Sequence, residues 1–190
     1  MKDLSRWLTS LSATVDNSPS VPGKLFPEYQ KGISLPMSPE TLLQNYIAGP
    51  QQLKAALMNV RKEQLDLHPI AGKWSIREVV CHLADFELVY ADRIKRVLAE
   101  DNPTLFSGDP NCFASALAYR HRQISDELQM IESIRRQVAV ILQKTDVENW
   151  QRTGVHSEAG PLTLETLLER VTHHIHHHIP FIEEKLRAMG

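Results

Sequence analysis

From Ser38 to the C-terminus, apolar residues recur at helical spacing in four long segments separated by proline, glycine and asparagine, and no convincing strand pattern appears. The first segment opens on Ser38-Pro39, a cap and first-turn pair. It carries Leu42, Leu43, Tyr46, Leu53, Leu57 and Val60, with a break or kink expected at Gly49-Pro50. The second opens on Ser75-Ile76-Arg77-Glu78, a capping box with Trp74 and Val79 placed as a hydrophobic staple, and is expected to reach about Glu100. A long third helix is expected over about 113–144, carrying Leu117, Ile124, Leu128, Ile131, Val138 and Leu142. After a loop at 154–161, Thr163 can cap a fourth helix that ends before Gly190. Four amphipathic helices predict an all-α four-helix bundle over residues 38–190.

Residues 1–37 read as an extension. Leu4, Trp7, Leu8 and Leu11 have helical spacing over a stretch too short to be stable alone. Pro19, Pro22, Gly23, Pro27, Gly32, Pro36 and Pro39 then make an irregular arm. The short helix is expected to lie on the bundle or on a second subunit.

A chain of 190 residues has room for one ordinary domain with a core. The formal net charge is −2 and its cations are scattered among acids, so no basic face suits a phosphate backbone and nucleic acid is not an expected partner. No 18 apolar residues run together, and the first residues lack the apolar run of a signal peptide. Cys81 and Cys112 have neither zinc-motif spacing nor a secretory context and are expected as reduced thiols. The expectation is a soluble cytoplasmic protein with no membrane partner.

The last helix holds the best clue to chemistry. Five of the six residues from His173 to His178 are histidine, interrupted by Ile175, and the apolar period continues through Phe181, Ile182 and Leu186. The cluster is therefore part of the fold and not an appended tag. At about 100° per residue, Leu164, Leu167, Leu168, Val171, Ile175, Ile179 and Ile182 gather on one side. His178 falls in that stripe and His174 on its edge, whereas His173, His176 and His177 face outward. Two inward histidines four residues apart can reach one metal ion, so a transition metal is expected. A bundle takes its remaining ligands from facing helices, and His82, at the margin of the second helix's stripe near Val79 and Phe86, is the leading candidate.

Those residues carry a resemblance. Gly72-Lys73-Trp74-Ser75-Ile76-Arg77-Glu78-Val79-Val80-Cys81-His82-Leu83-Ala84-Asp85 resembles the second-helix signature of the DinB/YfiT-like superfamily of metal-dependent enzymes. Tyr119-Arg120, the stretch from Trp150 through Gly154, His156 and Gly160 to Leu164, and the spacing of His174 and His178 follow in the family's order, so the resemblance spans roughly residues 39–188. It implies a divalent metal, zinc or nickel, held by His82, His174 and His178 with a position left for water or thiolate. It also implies a homodimer and activity on a small molecule, either thiol-dependent transfer or isomerisation with a low-molecular-weight thiol, or hydrolysis. The alternative is a metal-binding sensor or dimerisation module without turnover. The chain departs from the family pattern in its extra histidines and in Pro180, where a kink is expected just after the ligands.

Other polar residues have narrower readings. Asp85 is either a helix-surface acid or a carboxylate that orients an imidazole. Glu87 falls in the apolar stripe between Leu83 and Tyr90, where it needs a partner such as Arg93, Arg120 or the site itself; these two acids are the candidate catalytic residues. His121 shares the inward phase of the expected third helix and can approach the metal, and His156 and Glu158 are candidates for the entrance. Cys81 is expected in the core.

Overall fold

In a computed structural model of the protein, residues 37–190 are described. The short helix around Trp7 and most of the proline-rich arm lie outside the described residues. The helices are α1 (Pro39–Leu57), α2 (Ile76–Ala99), α3 (Pro110–Ala116), α4 (Ile124–Leu142) and α5 (Leu164–Met189). The four long ones form the bundle. Both α1 and α2 pack against α4 and α5, so two helices consecutive in the chain sit diagonally across the core. Their starts follow the sequence. Ser75 Oγ accepts the Glu78 N–H at 3.2 Å while the Glu78 carboxylate accepts the Ser75 N–H at 2.7 Å. Ser38 and Thr163 cap α1 and α5 through their hydroxyl oxygens. Leu42, Leu53, Ile76, Leu83, Ile94, Ile131, Val138, Leu164, Leu168 and Ile182 fill the core.

Three expectations are corrected. The long third helix is divided: Asp109 caps the short α3 by accepting the Asn111 N–H at 2.8 Å, Ala118 takes a left-handed conformation with φ 52°, and α4 begins only at Ile124. A left-handed residue cannot continue a right-handed helix, and Leu117, counted in the stripe, is 42% exposed.

Strands are present. β1 (Thr104–Leu105) pairs in parallel with β2 (Thr153–His156), which pairs antiparallel with β3 (Gly160–Thr163). Arg152 ties this small sheet to the end of α2, donating to the carbonyls of Val97 and Glu100 at 2.8 Å each. Strands of two and four residues are too short to show alternation.

The third correction concerns Gly49-Pro50, where α1 runs on without a break. Pro50 has no N–H for the carbonyl of Tyr46, one helical turn earlier. That carbonyl instead accepts Arg135 Nη1 at 2.8 Å. Gly49 makes the approach possible, since a Cβ there would stand 2.2 Å from Arg135 Nη1. What reads as a helix breaker is a socket for an arginine from α4. Helical structure likewise continues across Pro180 to Met189. Among the described residues no helix is long and apolar enough to cross a membrane.

Candidate metal centre

The seam between α2 and α5 brings His82, His174 and His178 together, and their ligand-capable atoms all lie within 4.8 Å of one another. His82 Nε2 and His174 Nε2 are 2.9 Å apart, and the ring of His178 lies 4.9 Å from that of His82 and 4.8 Å from that of His174. All three are buried. Helical phase explains the α5 pair: His174 and His178 are one turn apart on the face that carries Val171, Ile175 and Ile182. Aromatic rings hold His82, with Trp74 at 4.9 Å and Phe86 at 4.6 Å. Trp74 is the residue placed by the capping box, so the helix start and the position of His82 are set together.

Burial controls the electrostatics. It pushes the His82 imidazole down to about 3, helped by His177. Burial, then the neighbouring imidazoles, also hold His174 and His178 well below the ordinary histidine value. All three are therefore neutral at pH 7, the form that ligates a metal. His82 Nδ1 and His178 Nδ1 have no hydrogen-bond partner among the described residues, although buried imidazole nitrogens ordinarily find one. Three convergent neutral imidazoles, those of His82 and His178 with an unpartnered Nδ1, fit a divalent transition metal, and among the described residues no carboxylate or thiol belongs to the cluster.

The two candidate acids are engaged elsewhere. Arg122 Nη1 donates to both oxygens of Asp85, at 2.8 and 2.9 Å, and the same guanidinium pairs with Glu127. Glu87 is fully buried; Arg135 donates to it through Nε at 3.0 Å and Nη2 at 2.9 Å, and Tyr46 Oη donates at 2.9 Å. Burial pushes the Glu87 carboxyl up against the pull of Arg135 and Tyr46. Arg135 keeps its charge, and three donors converge on the carboxyl in the geometry of a buried ion pair. The partner of Glu87 is thus none of the three anticipated from sequence. A signal existed, because Arg135 lies in the same helical phase as Ile131, Val138 and Leu142, and a cation in one apolar stripe answers an anion in another.

The remaining candidates separate. His173 and His177 are exposed and His176 is half-buried, its Nδ1 3.0 Å from the Thr172 carbonyl. His121 is exposed in a 3-10 turn at Tyr119–His121 and is not in the cluster. Cys81 is buried, with its thiol pushed up to about 12 by burial. His156 and Glu158 lie on the sheet side of the seam, where Glu158 accepts Ser107 Oγ at 2.8 Å. A groove between α1 and α4, lined by Ile47, Pro50, Gln51 and Arg136, touches none of the three histidines.

Fold and site together define a helical-bundle protein with a three-histidine centre suited to a metal. The chain belongs to the DinB superfamily, whose sequence profile matches residues 45–182. A relative from Oceanobacillus iheyensis is 28% identical over 133 residues, covering 70% of this chain and 77% of the relative. YfiT of Bacillus subtilis is 29% identical over 142 residues, covering 74% of this chain and 80% of YfiT. Both are provisionally named metal-dependent hydrolases. The solved structure of YfiT, described as having an unusual four-helix bundle topology, superposes with a TM-score of 0.77 at 27% identity, covering 86% of this chain and 94% of YfiT. The mycothiol-dependent maleylpyruvate isomerase shares the fold alone, with a TM-score of 0.61 at 13% identity over 76% of this chain and 60% of that protein.

Proposed function

We propose that the protein is a metal-dependent enzyme acting on a small molecule, with zinc or nickel held by His82, His174 and His178, and that it transfers a low-molecular-weight thiol to an electrophile. The observation that carries the reading is the cluster of three neutral imidazoles with no fourth protein ligand among the described residues. A bound divalent ion would supply Lewis acidity there, lowering the pKa of a water or thiol at the position that three ligands leave open. The residues around it orient and enclose: Trp74 and Phe86 fix the His82 ring and exclude water from its faces.

Engagement of the acids favours thiol transfer over hydrolysis. A water nucleophile is commonly deprotonated by a nearby carboxylate, and both candidate acids are held in ion pairs, Asp85 by Arg122 and Glu87 by Arg135. A thiol ionises more readily than water and has less need of such a base. Hydrolysis is the second reading, favoured by the names given to the relatives.

The test is to strip tag-free protein with a chelator, restore zinc or nickel, and compare conjugation of simple thiols to an aryl halide with hydrolysis of activated esters. Conjugation should vanish on stripping and return with metal, and His82→Ala should not be rescued at the same metal concentration. Equal turnover by stripped protein would remove the metal from the mechanism, and metal-dependent ester hydrolysis without conjugation would select the second reading.

A further inference from the structure

A second polar cluster lies on the α2–α5 seam, nearer the sheet than the histidines. Arg93 of α2 is only 6% exposed. Its Nη2 donates to the Phe106 carbonyl and its guanidinium carbon lies 5.1 Å from the centre of the Tyr90 ring. Its Nε, sealed from solvent, has no partner among the described residues. Arg170 of α5, half-buried, makes no hydrogen bond or ion pair with a described residue. It is close enough to add, after burial, to the lowering of the pKa values of both Arg93 and His156.

His156, at the end of β2, supplies a third donor. Its Nδ1 accepts the backbone N–H groups of Glu158 and Ala159, each at 3.2 Å. A ring nitrogen that accepts carries no proton, so the proton of the neutral ring sits on Nε2. Burial, then Arg93 and Arg170, hold this imidazole below its ordinary pKa, which keeps it neutral at pH 7. Glu158 is the carboxylate whose field reaches Arg93 and His156, but its oxygen is engaged by Ser107 and it forms no ion pair with either arginine. The two acids whose fields reach Arg93 are Asp92 and Glu158, engaged by Arg96 and Ser107, so among the described residues neither Arg93 nor Arg170 has a carboxylate paired to it, and burying an unpaired charge is costly. The balance suits a monoanion.

Along α2, the buried Phe86 and Tyr90 lie at one-turn spacing between His82 and Arg93. Phe86 has its ring 5.5 Å from Phe113, 4.6 Å from His82 and 6.0 Å from His174. Arg170 stands about 6 Å of helix axis before His174, and Arg93 about 16 Å beyond His82.

We propose that Arg93, Arg170 and His156 form a carboxylate-binding subsite beside the three-histidine centre, so that the small-molecule substrate is an acid with an apolar middle. Its carboxylate lies at the junction of α2, α5 and β2, its apolar part along Phe86 and Phe113, and its reacting group at the histidines. Only the reacting end rests on the metal-dependent reading given above; the carboxylate subsite belongs to the metal-free protein as well.

The probes are phenylacetate and phenylacetamide, titrated calorimetrically into the metal-free full chain. The acid should bind at least tenfold more tightly than the amide. Arg93→Gln and Arg170→Gln should each erase that preference and leave amide affinity unchanged. Arg170 is half-buried and unpaired among the described residues, so its variant carries the test even if Arg93→Gln fails to fold. Equal binding of acid and amide, or a preference retained in Arg170→Gln, overturns the subsite. A cobalt-loaded sample separates this from the metal reading, with N-acetylcysteine amide as the thiol probe and the visible spectrum as readout. Phenylacetate binding that depends on Arg170, without any thiol effect on the cobalt spectrum, would keep the subsite and reject thiol transfer; a thiol effect without Arg170-dependent phenylacetate binding would do the reverse.

Discussion

Two of the polar clusters buried in this bundle are built on opposite principles. The Glu87–Arg135–Tyr46 knot joins all four long helices and leaves little unmet: Arg135 donates to the Glu87 carboxylate, the Tyr46 carbonyl and the Val171 carbonyl, and its guanidinium stacks 4.5 Å from the Tyr46 ring centre. The three-histidine cluster joins only α2 and α5, carries no charge at pH 7, and leaves His82 Nδ1 and His178 Nδ1 without partners among the described residues. Val171, whose carbonyl closes the knot, is one turn before His174 on the same helix. The satisfied cluster fixes the frame; the unsatisfied one keeps its valence for something from outside. Buried polarity thus marks structure when its bonds close and function when they do not.

Removing one member of the knot should have the largest effect. Arg135→Ala strands the Glu87 carboxylate in the core and frees the Tyr46 and Val171 carbonyls. Stranding one charge of a buried pair costs about 3–5 kcal/mol, which urea unfolding of the metal-free protein can measure. A loss under about 1 kcal/mol would show that the knot is not what holds the helices in register.

Acid should distinguish the clusters next. The three histidines have pKa values lowered by burial, His82 from 6.5 to about 3 and the other two in the same direction. The unfolded chain therefore binds their protons first as pH falls. Stability of the metal-free protein is full above about 6.5 and declines below it, by about 1 kcal/mol between pH 6.5 and 5.5 through His82 alone, with His174 and His178 adding in the same direction. Bound metal should delay the decline, because protons and metal compete for the same nitrogens. Urea midpoints across this range, with and without zinc, check the sign. A flat profile in metal-free protein would mean that the imidazoles are not buried as neutral groups.

What the sequence disclosed follows from how local each cause is. The capping box at Ser75 and Glu78, the apolar phases of α2 and α5, and the inward setting of His174 and His178 depend on neighbours within a turn or two, and periodicity carries them. Ala118 turns left-handed without glycine or asparagine to announce it, so the division of the third helix was not legible. The strands are shorter than one cycle of useful alternation. Gly49-Pro50 misled because its meaning is non-local: the carbonyl that Pro50 releases is taken by Arg135 from another helix. The Arg93, Arg170 and His156 cluster required the sheet to bring β2 to the seam, and that sheet was not anticipated.

Gly49→Ala probes the socket at smaller cost. In an ordinary helix interior, alanine is favoured over glycine by up to about 1 kcal/mol. Here the new Cβ would meet Arg135 Nη1 at 2.2 Å, so the guanidinium must shift and its bonds to the Tyr46 carbonyl and Glu87 lengthen. Overpacking of this kind costs about 1–3 kcal/mol, and destabilisation should win over propensity. A stabilised variant would mean that Arg135 moves freely, which its three buried acceptors argue against.

The smallest effect on folding should come from the residue that matters to metal binding. His178→Leu replaces a buried imidazole, its Nδ1 unpartnered and its ring 5.6 Å from that of Phe181, with an apolar side chain of similar size. The substitution removes a polar atom whose unmet desolvation costs about 1–3 kcal/mol, and gives up only contacts that leucine can make again. Metal-free protein should therefore keep its stability within about 1 kcal/mol, with any change in the stabilising direction. Tight zinc binding should be lost, and with it the gain in melting temperature that zinc confers on the wild type through linkage. Thermal unfolding of both proteins, each with and without zinc, separates the two effects in one experiment. A large loss in metal-free His178→Leu would place this histidine with Arg135 among the residues that hold the fold, and the contrast between the clusters would fail at that point.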